Sequence, residues 1–133
     1  MISDKDIIRN EQSLSAAATI LKQIDSVPHG YLKVDYNKLN SAVVTKAIKK
    51  LGFYEVEIYK SYRNEPYGLC IEPCDSVVIF SRCGNPFFGY CEEVIVDYSN
   101  KKNPYTNFSK AKGQEFYKVT EKIYYKRYPS PIM

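Results

Sequence analysis

Four cysteines, one histidine and two pairs of neighbouring carboxylates are the residues of this chain with the most reactive side chains. Cys70, Cys74, Cys83 and Cys91 fall in one 22-residue window, with gaps of three, eight and seven residues. A structural zinc site needs four thiolate or imidazole ligands, usually as two tight pairs. Only Cys70/Cys74 has such a spacing, with Pro73 between the two. Zinc on Cys70, Cys74, Cys83 and Cys91 is therefore set aside and no metal is expected. The expectation is four free thiols on buried strands, since unpaired cysteine is among the most buried residue types. His29 is the single histidine and sits in the turn Val27-Pro28-His29-Gly30. One imidazole excludes multi-histidine metal centres, and a turn position is a solvated one.

Glu55 and Glu57 stand two residues apart and share a strand face if the segment is extended. Such a pair could bind a divalent cation or do acid–base work. Glu92 and Glu93 are adjacent. No third acidic residue stands at a diagnostic spacing, and both pairs are read as exposed, solvated strand positions. Phosphate-loop and dinucleotide glycine patterns are absent, as is a Gly-x-Ser-x-Gly elbow. No catalytic residue and no cofactor is assigned.

Two surface features remain. Residues 99–133 hold eight basic and two acidic residues, whereas residues 65–98 hold only Arg82 against six acidic ones. A basic C-terminal segment could hold an anion on Lys118, Lys122, Lys126 and Arg127, with Tyr124 and Tyr128 interleaved as stacking platforms. Lysines that keep an edge strand from pairing with other chains explain the same pattern. The second feature is the loop Asn85-Pro86-Phe87-Phe88-Gly89-Tyr90. Adjacent residues of an extended segment point to opposite sides, so Phe87 and Phe88 cannot both point inward. Phe87, Phe88 and Tyr90 are the candidate partner-binding residues, because aromatic rings dominate interface hot spots.

The elements that would carry these residues follow from periodicity. Ser3 with Asp6 three residues on has the form of a capping box. Ile7, Leu14, Ala17, Leu21 and Ile24 then mark one face of a helix, or of two short helices broken near Asn10 to Ser13. Tyr31 to Asp35 forms a short extended piece. A second helical pattern runs from Lys38 to Leu51 on Leu39, Val43, Ala47 and Leu51, widened by Val44 and Ile48, and stops at Gly52. Alternation begins afterwards, with Tyr54, Val56, Ile58 and Tyr62 on one face. Leu69 to Glu72 is a short strand, Ser76 to Arg82 a central one with apolar residues on both faces, and Val94-Ile95-Val96 the centre of the next. Glu115 to Tyr128 is aromatic and β-branched and is read as one strand rather than a helix. Residues 129–133 are expected to fray. The fold class is α+β, with N-terminal helices followed by an antiparallel sheet of four to five strands in a single domain, 1–133.

Composition bounds the function. The chain has 133 residues with 19 Lys+Arg against 15 Asp+Glu, a net charge of +4. Its 44% hydrophobic content is that of a folded domain, not of a disordered chain. No apolar run approaches the ~18 residues that would span a bilayer, so no membrane is expected. The N-terminus lacks a basic start followed by an apolar stretch, which points to the cytoplasm. A bias to Lys, Asn, Ile and Tyr is that of A/T-rich coding, as in low-GC bacteria, phages and large viruses. The expected function is a small non-enzymatic interaction protein with a protein partner, of the phage- or virus-type inhibitor kind. The alternative is a nucleotide or nucleic-acid binder acting through the basic, Tyr-rich C-terminal segment, and a third reading is a small enzyme using Cys or paired Glu.

Overall fold

The computed structural model describes residues 2–24, 27, 31–60, 76–84, 89–97 and 115–129. Helix α1 (Asp4–Arg9) begins at the expected capping box. The Ser3 side chain accepts the Asp6 N–H at 3.2 Å and the Asp6 carboxylate accepts the Ser3 N–H at 3.0 Å. Asn10 ends α1 and opens α2 (Glu11–Leu21), so the helical pattern is two short helices, as its spacing allowed. Ile7, Leu14, Ala17, Ala18 and Leu21 are their buried stripe.

Strand β1 (Tyr31–Val34) follows, then a single 3-10 turn, Tyr36–Lys38, and helix α3 (Ala42–Lys50). The helix is shorter than the periodicity suggested because Ser41 caps it, its hydroxyl accepting the Val44 N–H at 3.3 Å. Its buried face is Val44, Ala47 and Ile48, while Val43 faces solvent. Gly52 ends α3 with φ +73°. Its N–H donates to the Lys49 carbonyl and that of Phe53 to the Ile48 carbonyl, the paired bonds of a Schellman turn. A Cβ at position 52 would lie 3.3 Å from an Arg82 guanidinium nitrogen. Gly52→Ala is therefore expected to cost about 1–2 kcal/mol from the left-handed backbone alone, read as a lower urea midpoint.

Among the described residues the sheet has six strands, not four to five, all antiparallel, in the order β1-β2-β3-β4-β6-β5; the short strand expected at Leu69 to Glu72 lies outside the described residues. Strands β2 (Glu55–Lys60), β3 (Ser76–Cys83) and β4 (Tyr90–Asp97) form its middle. The segment read as one C-terminal strand is a hairpin, β5 (Glu115–Lys118) and β6 (Ile123–Pro129). The reversal is closed by the Val119 and Thr120 N–H groups, both donating to the Ile123 carbonyl at 2.8 and 3.1 Å. Pro129, expected to fray, is the last residue of β6 and pairs with Tyr90.

The helices cover one face of the sheet. There Val34, Val56, Ile58, Val78, Phe80, Val94, Val96, Ile123 and Tyr125 join the helical stripe in the main core. On the other face Tyr59, Val77, Ile79, Ile95 and Tyr124 form a second, smaller cluster. Strand β3 thus buries both faces, as its uninterrupted apolar run requires. Tyr54 lies one residue before β2 and is 66% exposed, in contrast to the buried Val56 and Ile58. Among the described residues, no helix is long and apolar enough to cross a membrane.

Candidate functional site

Four strands bring a charged row to one end of the helix-covered face. Arg82 on β3 is opposite Glu92 on β4, and Glu92 is opposite Arg127 on β6. Arg127 is in turn opposite Glu115 on β5, and paired residues of antiparallel strands point to the same side, so the row reads guanidinium, carboxylate, guanidinium, carboxylate. The two arginines are used differently.

Arg82 is fully engaged. Its Nε and Nη2 each lie 3.0 Å from Glu92 Oε1, and its Nη1 donates to the Leu51 carbonyl at 2.9 Å. It thereby ties the end of α3 to the sheet. Glu92 is buried, and its Oε2 accepts the Ile2 N–H at 2.7 Å and the Tyr125 hydroxyl at 2.5 Å. Burial works to raise the Glu92 pKa. The bonds from Tyr125, Ile2 and Arg82, with the Arg82 charge, outweigh it and hold the carboxyl below its ordinary range. Tyr125 is pushed the other way, by burial and then by its bond to Glu92, so its hydroxyl stays protonated. The two glutamates were expected at solvated positions; both are instead buried, Glu92 at 6% and Glu93 at 4% exposure.

Arg127 stacks on an aromatic ring. Its Cζ lies 3.8 Å from the centroid of Tyr90, the residue two before Glu92 on the same face of β4. Among the described residues no carboxylate pairs with Arg127. Around the stacked pair lies a concavity of about 400 Å³, lined by Gly52, Tyr54, Arg82, Gly84, Tyr90 and Arg127 among others. The Tyr54 N–H donates to the Ser81 carbonyl at 2.9 Å, which anchors this exposed ring beside the end of β3. A neighbouring concavity of about 440 Å³ shares Gly52 and Arg82 and adds Lys49 and Lys50.

Cys83 and Cys91 face each other across β3 and β4 and form a disulfide. This corrects the expectation of four free thiols and removes two of the four ligands a zinc site on this window would need. Directly opposed strand positions bring Cβ atoms within about 5 Å, so the sheet register itself places the sulfurs together. Cys70 and Cys74 lie outside the described residues, as do His29, Phe87 and Phe88. Of the candidate partner-binding residues, Tyr90 is described, and it is 37% exposed at the rim of the concavity.

The basic C-terminal residues do not converge on one site. Arg127 is on the helix-covered face. Lys118, Tyr124 and Lys126 are on the other, by the pairing of Lys118 with Tyr124 and of Phe116 with Lys126. Lys122 is in the turn between the strands. Lys118 pairs with Glu121 at 3.6 Å. Lys126 lies 5.8 Å from the Phe116 ring centre and 5.4 Å from that of Tyr128. Tyr124 is buried in the second cluster, leaving its ring no face for a stacked base. On the same side the Tyr128 hydroxyl donates to Glu93 at 3.2 Å. Burial raises the Glu93 pKa, against the Lys126 charge and the Tyr128 bond, which lower it. Glu55 pairs with Lys33 at 3.0 Å and Glu57 accepts the Tyr31 hydroxyl at 2.7 Å. Among the described residues, no group of three or more potential ligands is arranged to hold a metal ion.

Comparison with known protein families, with curated proteins and with solved structures finds no match to this chain.

Proposed function

We propose that this protein is a non-enzymatic binding module that recognises a protein partner through the concavity of Tyr54, Tyr90 and Arg127. The observation that carries the reading is the Arg127–Tyr90 stack at 3.8 Å beside the largely exposed Tyr54 ring. Tyrosine and arginine are the residue types that dominate interface hot spots, and they do so around pockets that a partner side chain can fill. The polar groups beneath them favour binding over proton transfer. Arg82, Glu92 and Tyr125 satisfy one another, Glu92 is held ionised and Tyr125 is held protonated. A rigid floor of this kind holds the rim side chains in place at a low entropic cost on binding.

The nucleic-acid alternative has less support from the arrangement. Lys118 and Lys126 share one face of the hairpin, but Arg127 is on the opposite face and Tyr124 is buried.

The reading is tested by capture from lysate with paired baits, wild type and Tyr54→Ala, with and without nuclease. The expected result is a protein retained by the wild type, unaffected by nuclease and depleted on Tyr54→Ala. Loss of all captured protein on nuclease treatment, together with a steep dependence on salt, is the contrary result and the signature of phosphate contacts.

A further inference from the structure

We infer that the concavity recognises an acidic peptide segment, with one Asp or Glu side chain of the partner seated on Arg127. The inference rests on the proposed role of this surface and names the chemistry of its ligand.

Charge accounting within the concavity supplies the first argument. Its lining carries Arg82, Arg127 and Glu92. The Arg82 charge is matched by Glu92 at 3.0 Å, whereas Arg127 stands opposite Glu92 on β4 and Glu115 on β5 and, among the described residues, forms an ion pair with neither. A guanidinium engaged in no ion pair suits one carboxylate. A phosphate brings up to two negative charges, and a nucleic-acid strand brings one at every step, against a lining that also contains Glu92.

Geometry supplies the second. A guanidinium stacked by its face on Tyr90 keeps its N–H edges for an in-plane acceptor, and a carboxylate meets such an edge with two parallel hydrogen bonds. The stack fixes the plane before the ligand arrives. A lysine at this position would offer a point charge with no preferred plane.

The surroundings supply the third. The Tyr54 ring offers an apolar wall to the residue next to the acid. Lys49 and Lys50, at the C-terminal end of α3, line the adjoining concavity across Gly52 and Arg82, where with Arg82 they outnumber its one acidic residue, Asp6. Their charges favour further acidic residues on that side of the segment and speed the encounter of opposite charges.

A library of random twelve-residue peptides panned on the wild-type protein tests this, with Arg127→Ala, Arg127→Lys and Tyr54→Ala as comparison baits. The expected result is a set of enriched peptides sharing one Asp or Glu position. Changing that acid to its amide should weaken binding about tenfold or more, the range of a hydrogen-bonded charge. Arg127→Ala should weaken it by a similar factor, and Arg127→Lys should recover little. The two changes combined should weaken binding no further than either alone, because each removes the same contact. Unchanged melting of the Arg127 variants shows that their effect is local. Enriched peptides that depend on Tyr54 but not on the acid or on Arg127 overturn this inference and leave the protein-binding reading standing. Failure to enrich any sequence overturns both. Displacement of bound peptide by a dT12 oligonucleotide at lower concentration than by an Asp/Glu-rich peptide overturns it in favour of a nucleic-acid ligand.

Discussion

Glu92→Ala is expected to lower the stability of the folded protein by about 3–5 kcal/mol, the cost of breaking a buried charge pair from one side. Three groups lose their acceptor at once: the Arg82 guanidinium, the Tyr125 hydroxyl and the Ile2 N–H. Such a loss is a large part of the ~5–15 kcal/mol that holds a typical domain together. Urea unfolding at neutral pH measures it. The pH dependence follows from the direction of the shift. The folded-state pKa of Glu92 is depressed, so its contribution is present in full above the ordinary carboxylate range. It is lost as the pH falls through the depressed folded-state value. Glu93 behaves oppositely. Its raised folded-state pKa means that the folded protein holds the proton more tightly, so this group favours folding as the pH falls and opposes it as the pH rises. Glu92→Gln should therefore flatten the acid limb of the stability curve, while Glu93→Gln should cost nothing at neutral pH. A steep acid limb that survives Glu92→Gln would place the titrating group elsewhere.

Replacing Cys83 and Cys91 together by serine is expected to cost about 2–3 kcal/mol, from the freedom the unfolded chain regains over a short closed loop. The sequence separation of the pair is eight residues, which puts the effect at the small end for disulfides. The bond also pins the ends of β3 and β4 from which Gly84 and Tyr90 reach the concavity. Equilibrium unfolding of the oxidised wild type against the double variant gives the difference. Alkylation in denaturant followed by mass measurement shows whether the bond is present in the sample compared. Equal stability of the oxidised protein and the double variant would contradict the expectation.

Local features of this chain were legible in its sequence because their causes are local. Ser3 with Asp6 spelled out a capping box, Gly52 stood where a left-handed residue was needed, and Val77-Val78-Ile79-Phe80 required a strand buried on both faces. The α+β order followed from the change of period at Gly52. Misreadings arose where a distant residue decides the outcome. Glu92 looks solvated in sequence, yet its partners Ile2, Arg82 and Tyr125 lie 90, 10 and 33 residues away. Cys83 and Cys91 are opposed only because the β3–β4 register makes them so. The hairpin at Thr120-Glu121-Lys122 has no glycine or proline to mark it, so two short strands read as one long one. Alternation grouped Tyr54 with Val56 and Ile58, but Tyr54 precedes the strand and is exposed where they are buried. The Arg127–Tyr90 stack crosses from β6 to β4, and no spacing along the chain could have announced it.

If Tyr54, Tyr90 and Arg127 form a recognition surface and not part of the core, Tyr54→Ala should separate binding from folding. Melting and affinity should be measured on the same preparation, against the protein captured by the wild type, with Phe80→Ala as the core reference. Phe80 is fully buried, and its loss should cost about 3–5 kcal/mol of stability. For Tyr54→Ala the expected result is a melting temperature close to wild type and an affinity loss of about 2 kcal/mol or more, roughly thirtyfold. Unchanged affinity, or a fall in melting temperature comparable to that of Phe80→Ala, would contradict it.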